Sequence, residues 1–397
     1  MAFFFLNVFT FIMFFQPVSV FPALAPYRPY RYSAIIALIS FLLAGKKSDI
    51  PLLSVPNVRY FLLFATMQVI SSSAIWLHGG IDTFKNIWLN LIIIYVIIVM
   101  SCTDEKKIKS IILMVVAAIF YLSYKSVSDV IINYHPGLRP QGFGWYENPN
   151  DLALILTCTI PLAFCLWELS TSIIIKLFFI GVNSLFAVNM LLSASRGALL
   201  GLMAVGCMCL LFIKNVSKFI RLSILALLIV SIGTFGIATV FTRSDLIPGQ
   251  LTGDDSSENR IVQWKACLRM VKAHPFLGVG PGESVYEMRN YGGIRGLVPH
   301  NTLIQAFAET GIPGGIFFMM CTIFPIWEAW TFFKLNRGNM SIPSVIIYKY
   351  LIISLSGFWI CALLSNRIYF SILYVTIALI TAIRENVFKP QGLIAES

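Results

Sequence analysis

His300 and Arg196 are the two residues whose type and setting best suit chemistry. An imidazole can accept a proton from a hydroxyl near neutral pH. His300 is one of only four histidines in 397 residues, and it opens an apolar stretch as His300-Asn301. A guanidinium stays charged at any working pH and can hold two oxygens of a phosphate or pyrophosphate at once. Arg196 stands between two apolar runs, within Ser193-Ala194-Ser195-Arg196-Gly197, beside small residues that allow close approach. Charges at membrane depth are costly and tend to be kept for function or paired. The plainer alternatives are an arginine that reaches for headgroups and a histidine that merely caps a helix.

Further groups accompany them. Asp254-Asp255-Ser256-Ser257-Glu258-Asn259 reads as a helix start that runs to about Ala273 and stops at Pro275. Arg260 lies near that N-terminus, where backbone N–H groups favour anions. Lys265, Arg269 and Lys272 form a basic stripe. Ile261, Trp264, Leu268 and Val271 form an apolar face suited to the membrane or to the rest of the protein. Glu309 and Asn301 are secondary candidates, as is Arg269. Glu309 suits either proton acceptance or a structural hydrogen bond to a neighbouring helix. His135 and His274 read as solvated, and His78 as interfacial. No Cys/His spacing suggests zinc, and no external carboxylate pair has a recognisable metal-site spacing. Asp254-Asp255 comes nearest and is better explained by helix-start electrostatics. The expectation is chemistry with neither metal nor cofactor.

The elements that must position these groups are membrane helices. Apolar residues make up 58%, charged residues 12%, and mean hydropathy is +0.82. A water-soluble domain of this length has too little interior to hide that much apolar surface. The pattern predicts an all-α integral membrane protein with twelve spans: 1–20, 31–45, 58–76, 84–101, 109–130, 151–168, 172–192, 197–213, 221–241, 301–333, 345–364 and 369–384. The tenth is long enough to be tilted or broken. The chain thus divides into helices one to nine (1–241), a long external loop with short helices (242–300), and the last three spans with a tail (301–397). The N-terminal apolar stretch has no Lys or Arg before Arg28, so it reads as a span rather than a signal peptide.

Strict alternation puts Lys46, Lys47 and Arg59, then Lys106, Lys107 and Lys109, Lys214, Lys218 and Arg221, Lys334 and Arg337, and Arg384 and Lys389 on one side. By the positive-inside rule that side is cytoplasmic, as are both termini. Arg28, Arg31, Lys85, Arg139 and Arg367 run against the trend. The net charge of +11 is therefore largely topology bias and calls for membrane lipids rather than nucleic acid as partner. The external side receives the turn-rich loop Asn133–Asp151, the link Ser193–Gly197 and the segment Thr242–His300.

Three segments in this order resemble the bacterial O-antigen ligase and polymerase superfamily. They are Ser193–Gly197; Asn259-Arg260 through Trp264 to His274-Pro275-Phe276-Leu277-Gly278-Val279-Gly280; and His300-Asn301 through Glu309-Thr310-Gly311-Ile312-Pro313-Gly314. The loop Gly142–Asp151, with Asn148-Pro149-Asn150, is similar to a segment of the same group, so the likeness covers roughly 140–315. The resemblance implies a helical enzyme of the GT-C type in the bacterial inner membrane, with a periplasmic active site and an undecaprenyl-pyrophosphate-linked glycan as donor. It implies that Arg196 and Arg260 hold the pyrophosphate and that His300 activates the acceptor hydroxyl, with inversion at the anomeric carbon. The acceptor would be lipid A–core for a ligase, favoured slightly by the spacing from His-Asn to Gly-Ile-Pro-Gly, or a lipid-linked repeat unit for a polymerase. A transporter of lipid-linked sugars is the rival from another class. Its expected related halves and scattered midplane charges are not evident, since the polar features cluster on one face. A membrane scaffold would leave Arg196 and His300 unexplained.

Overall fold

The computed structural model describes residues 1–44, 48, 50–75, 77–133, 138–193, 195–212 and 257–393. The span expected at 221–241, Asp254-Asp255, His135 and the lysines at 46, 47, 214 and 218 lie outside these. The described residues form helices and connecting loops, with no strand among them. The principal helices are α1 (Ala2–Phe15), α2 (Pro29–Leu43), α3 (Pro56–Ile75), α4 (Leu89–Ser101), α5 (Glu105–Ile132), α6 (Pro149–Leu169) and α7 (Ile173–Leu192). They continue with α8 (Arg196–Phe212), α9 (Ser257–Ala273), α10 (Thr302–Thr322), α11 (Phe324–Asn336), α12 (Ile342–Ala362) and α13 (Ser371–Ile383).

Among the described residues, eight helical stretches are long and apolar enough to cross a membrane. The three other described spans expected from the sequence correspond to shorter helices: α1, α2 and α8 have 14, 15 and 17 residues. At 1.5 Å per residue, α1 is only about 21 Å long, less than a hydrocarbon core of about 30 Å.

Polar contacts fix the ends of the bundle. At one end, Lys349 near the start of α12 pairs with Glu168 at the end of α6, at 2.7 Å. Glu105, opening α5, accepts hydrogen bonds from Ser341 and Ser344. Asn386 donates to the carbonyls of Val99 and Cys102 at the end of α4. The structure thereby draws Lys106, Lys107, Lys109, Arg337, Arg384 and Lys389 towards a common end. The opposite end holds the starts of α6, α8, α10 and α13 and the ends of α3, α7 and α12.

Close approach of α6, α8 and α12 depends on small residues. A Cβ on Gly201 would collide with Cys361 Sγ and lie 2.9 Å from Thr157 Cγ2, and one on Gly357 would lie 2.8 Å from Val205 Cγ2. Ser354 Oγ donates to the Cys158 carbonyl at 2.7 Å. Helices without a hydrophobic driving force between them pack through such contacts.

The tenth span is broken. Gly311 has φ 69° and ψ −172°, a conformation essentially restricted to glycine, and it divides α10. The break is filled by the turn after α9. The Ile312 N–H donates to the Pro275 carbonyl (2.7 Å), and the Val279 and Gly280 N–H groups donate to the carbonyls of Ala308 and Glu309 (2.9 and 3.0 Å). Ser71 Oγ on α3 donates to the carbonyls of Leu277 (2.5 Å) and Glu309 (2.8 Å), so the two limbs and the turn are fastened to the end of α3.

Candidate functional site

The expected helix at 254–273 is present as α9, Ser257–Ala273. Its inward face lies beside the apolar stripe, for which the sequence left membrane and protein both open. Gln263, Ala266, Cys267 and Met270 are buried, whereas Ile261 and Leu268 are exposed. The reason is the partner: α9 packs on the first limb of α10, and small side chains at 266 and 267 allow that approach. Trp264 is half-buried, and its indole N–H donates to the Pro299 carbonyl at 2.7 Å. Arg260, one turn earlier on α9, is thereby carried on an element anchored beside His300. Burial pushes the Cys267 thiol up to about 12.

His300 has φ 47°. A side chain other than glycine in this region is uncommon, although histidine tolerates it better than most. The cap of α10 is its neighbour: Asn301 Oδ1 accepts from the Ile304 N–H at 3.0 Å. That contact gives Asn301 a structural duty and corrects the reading of His300 as the capping residue. Glu309 is fully buried, and its Oε1 accepts from Ser284 Oγ (2.7 Å) and Gln305 Nε2 (2.9 Å). These bonds join the loop after α9 to α10. Arg269 is exposed and donates to the Tyr291 carbonyl at 2.7 Å, and His274 Nε2 bonds the Tyr291 hydroxyl at 2.8 Å.

Arg196 opens α8 at the same end. Cys361 Sγ donates to the Gly197 carbonyl at 3.5 Å, and a Cβ on Gly197 would lie 3.4 Å from Leu364 Cβ. The loop after α12 then joins the start of α10: Thr302 Oγ1 donates to the Ser365 carbonyl (2.7 Å) and accepts from the Arg367 N–H (2.9 Å). Thus the loop Leu363–Phe370 touches both the residue after Arg196 and the residue two beyond His300.

Sequence reasoning missed the side chains that complete this layer. Arg367 pairs through Nε and Nη2 with Asp151 Oδ1 in the first turn of α6. Arg139 donates from Nε to the Ser193 carbonyl (2.6 Å) and from Nη2 to Asn150 Oδ1 (3.2 Å). One signal existed: Arg139 and Arg367 are two of the cations that run against the positive-inside trend. Among the described residues, no group of three His, Cys, Asp or Glu side chains gathers as a metal-binding cluster.

The starts of α6, α8, α10 and α13 point towards this layer. Helix N-termini carry partial positive charge and unsatisfied N–H groups that suit an anion, while the ends of α3, α7 and α12 at the same end bring the opposite partial charge.

Residues 181–319 match the family model described as O-antigen ligase. Over that segment, about a third of its length, the chain is similar to the O-antigen ligase family. The matched residues include Arg196, Arg260, His300 and Glu309, and they bear out the resemblance drawn from the motifs. The loop Gly142–Asp151 and Arg367 lie outside them. Comparison with curated proteins gives no match. An O-antigen ligase segment in a multi-helix apolar chain supports a membrane enzyme of the glycosyl-transfer type.

Proposed function

We propose that the protein transfers a glycan from undecaprenyl pyrophosphate to an acceptor hydroxyl at the periplasmic face of the bacterial inner membrane. The observation that carries this reading is the tie between the start of α8, which bears Arg196, and the start of α10, beside His300, within an O-antigen ligase segment. The acceptor oxygen attacks the anomeric carbon while its proton passes to His300. The anomeric C–O bond breaks with inversion, and undecaprenyl pyrophosphate departs with the electron pair. Arg196 and Arg260 stabilise the charge that develops on the leaving diphosphate. The activated donor supplies the energy, so neither nucleotide nor metal enters the step.

The favoured acceptor is lipid A–core, which makes the protein an O-antigen ligase. A lipid-linked repeat unit as acceptor would make it a polymerase, and the family match is equally compatible with that. The test is transfer by purified protein in lipid, offered undecaprenyl-pyrophosphate glycan with each acceptor in turn. His300→Ala and Arg196→Ala should each abolish transfer in a protein that still folds, and EDTA should leave the wild-type rate unchanged. Retained transfer in both variants would remove the site assignment, and loss with EDTA would remove the metal-free mechanism.

A further inference from the structure

A run of polar contacts crosses the end of the bundle that bears the starts of α8 and α10. It starts at the Ser193 carbonyl, three residues before Arg196, which accepts from Arg139 Nε at 2.6 Å. Arg139 Nη2 continues to Asn150 Oδ1 at 3.2 Å. The next residue, Asp151, accepts both Nε and Nη2 of Arg367. The Arg367 N–H donates to Thr302 Oγ1 at 2.9 Å, two residues after His300, and Thr302 Oγ1 donates onward to the Ser365 carbonyl at 2.7 Å. The Asp151 side chain is only 7% exposed and that of Arg367 24%. Little water reaches this pair, so little competes with the geometry it imposes. Thr302 itself is fully buried.

We propose that Asp151 and Arg367 are positioning residues for the transfer reaction, a buried pair that holds the start of α10, and with it His300, in register with the start of α8. The inference rests on the reading of His300 as the proton acceptor, and it concerns residues that lie outside the family match. Three features support it. Arg367 spends its side chain on Asp151 and on the Asn366 carbonyl, at 2.9 Å, so the guanidinium is engaged rather than aimed at a ligand. Its backbone, rather than its side chain, meets α10. The left-handed backbone of His300 (φ 47°) also needs neighbours that over-determine it, and Asn301 and Thr302 are both fixed by hydrogen bonds. A proton acceptor displaced by 1 Å loses rate on the order of a hundredfold while the substrate still binds.

The test is a double-mutant cycle in the transfer assay, with Asp151→Asn, Arg367→Gln and the double variant, together with deuterium exchange of the amides at 302–306. Each single variant should lower kcat by about 10- to 100-fold with the donor KM changed less than threefold. The double variant should be no slower than the worse single one, because the residues act as one unit. Exchange at 302–306 should quicken at least tenfold in the variants, while exchange in α9 stays put. The exchange result stands even if no glycan is transferred by wild type, so the failure of the activity reading is distinct from failure of the pair. A raised donor KM at unchanged kcat would overturn the proposal by making Arg367 a substrate contact. Additive losses, or unchanged exchange, would also overturn it. Should the charge variants not fold, Thr302 decides: Thr302→Ser should keep the wild-type kcat and Thr302→Val should lose it, and equal rates in the two would sink the idea.

Discussion

At the scale of single residues, the unusual backbone of His300 allows its chemistry to be separated from its conformation. A residue held at positive φ costs on the order of 1–3 kcal/mol unless its type suits the region. Asparagine suits it about as well as histidine but has no basic nitrogen. His300→Asn should therefore melt within a few degrees of wild type while transfer falls about 10²- to 10⁴-fold, the usual worth of a general base. An Asn variant with more than a tenth of the normal rate would show that the proton goes elsewhere. Cys267 gives an independent check on how α9 docks. With its thiol pushed up to about 12, the reactive thiolate at pH 8 is about one part in 10⁴. Alkylation by iodoacetamide at pH 8 should be negligible in folded protein, rise steeply with pH, and become fast once α9 is released by denaturant. Arg196, Arg260 and His300 could be proposed from sequence because each stands in a contiguous motif. Asp151 and Arg367 were not, since their meeting joins positions 216 apart in sequence. Only the misplaced charge of Arg367 hinted that it had a partner.

At the scale of elements, the apolar runs placed the described helices to within a few residues, as in α6 (expected 151–168, found Pro149–Leu169) and α7 (expected 172–192, found Ile173–Leu192). What the runs could not reveal was depth and facing. A hydropathy pattern says that a stretch is apolar but not that a loop fills a break in it. The turn Pro275–Gly280 takes up the hydrogen bonds freed at Gly311, and two glycines make this fit. A Cβ on Gly311 would lie 2.6 Å from the Phe276 carbonyl carbon and 2.7 Å from the Pro275 oxygen. One on Gly278 would overlap the backbone of Ala308, Glu309 and Thr310. Since backbone cannot step aside as a side chain can, Gly278→Ala and Gly311→Ala should each cost about 2–4 kcal/mol. Both should lower the detergent melting temperature clearly and reduce transfer. Gly282→Ala is the control: its φ is 78°, but nothing lies within 4 Å of the added carbon, so it should cost only about 1 kcal/mol. Equal melting temperatures for all three variants would show that the loop does not pack in the break. The facing of α9, which the sequence left open between membrane and protein, could not be chosen for a related reason. Ile261 and Leu268 have the right spacing for a core stripe, but the neighbour is a helix close enough to demand alanine and cysteine, leaving the larger residues outside.

At the scale of the whole molecule, the two ends of the bundle differ in how their cations are held. Basic residues do not gather at one end by packing alone, because ion pairs such as Lys349–Glu168 and Arg384–Glu328 account for only some of them. With the basic end in the cytoplasm, as the proposed topology has it, Lys106, Lys109 and Arg337 would meet anionic headgroups, which attract juxtamembrane cations by about 1 kcal/mol each. The opposite end would then face the periplasm. Two of the cations there, Arg139 and Arg367, are bound into the protein by hydrogen bonds. A topology set this way predicts a simple labelling pattern. Arg295 and Asn339 are both exposed, the first in the loop between α9 and α10, the second between α11 and α12 at the basic end. Arg295→Cys should react with a membrane-impermeant maleimide in intact spheroplasts, and Asn339→Cys should react only after lysis. The described native cysteines should stay silent, since six of the eight are buried and Cys207 and Cys209 lie within α8. The reverse pattern would turn the molecule over and put His300 in the cytoplasm. A glycan already carried on the outer leaflet could not reach it there, so the labelling result decides whether the transfer chemistry can occur at all.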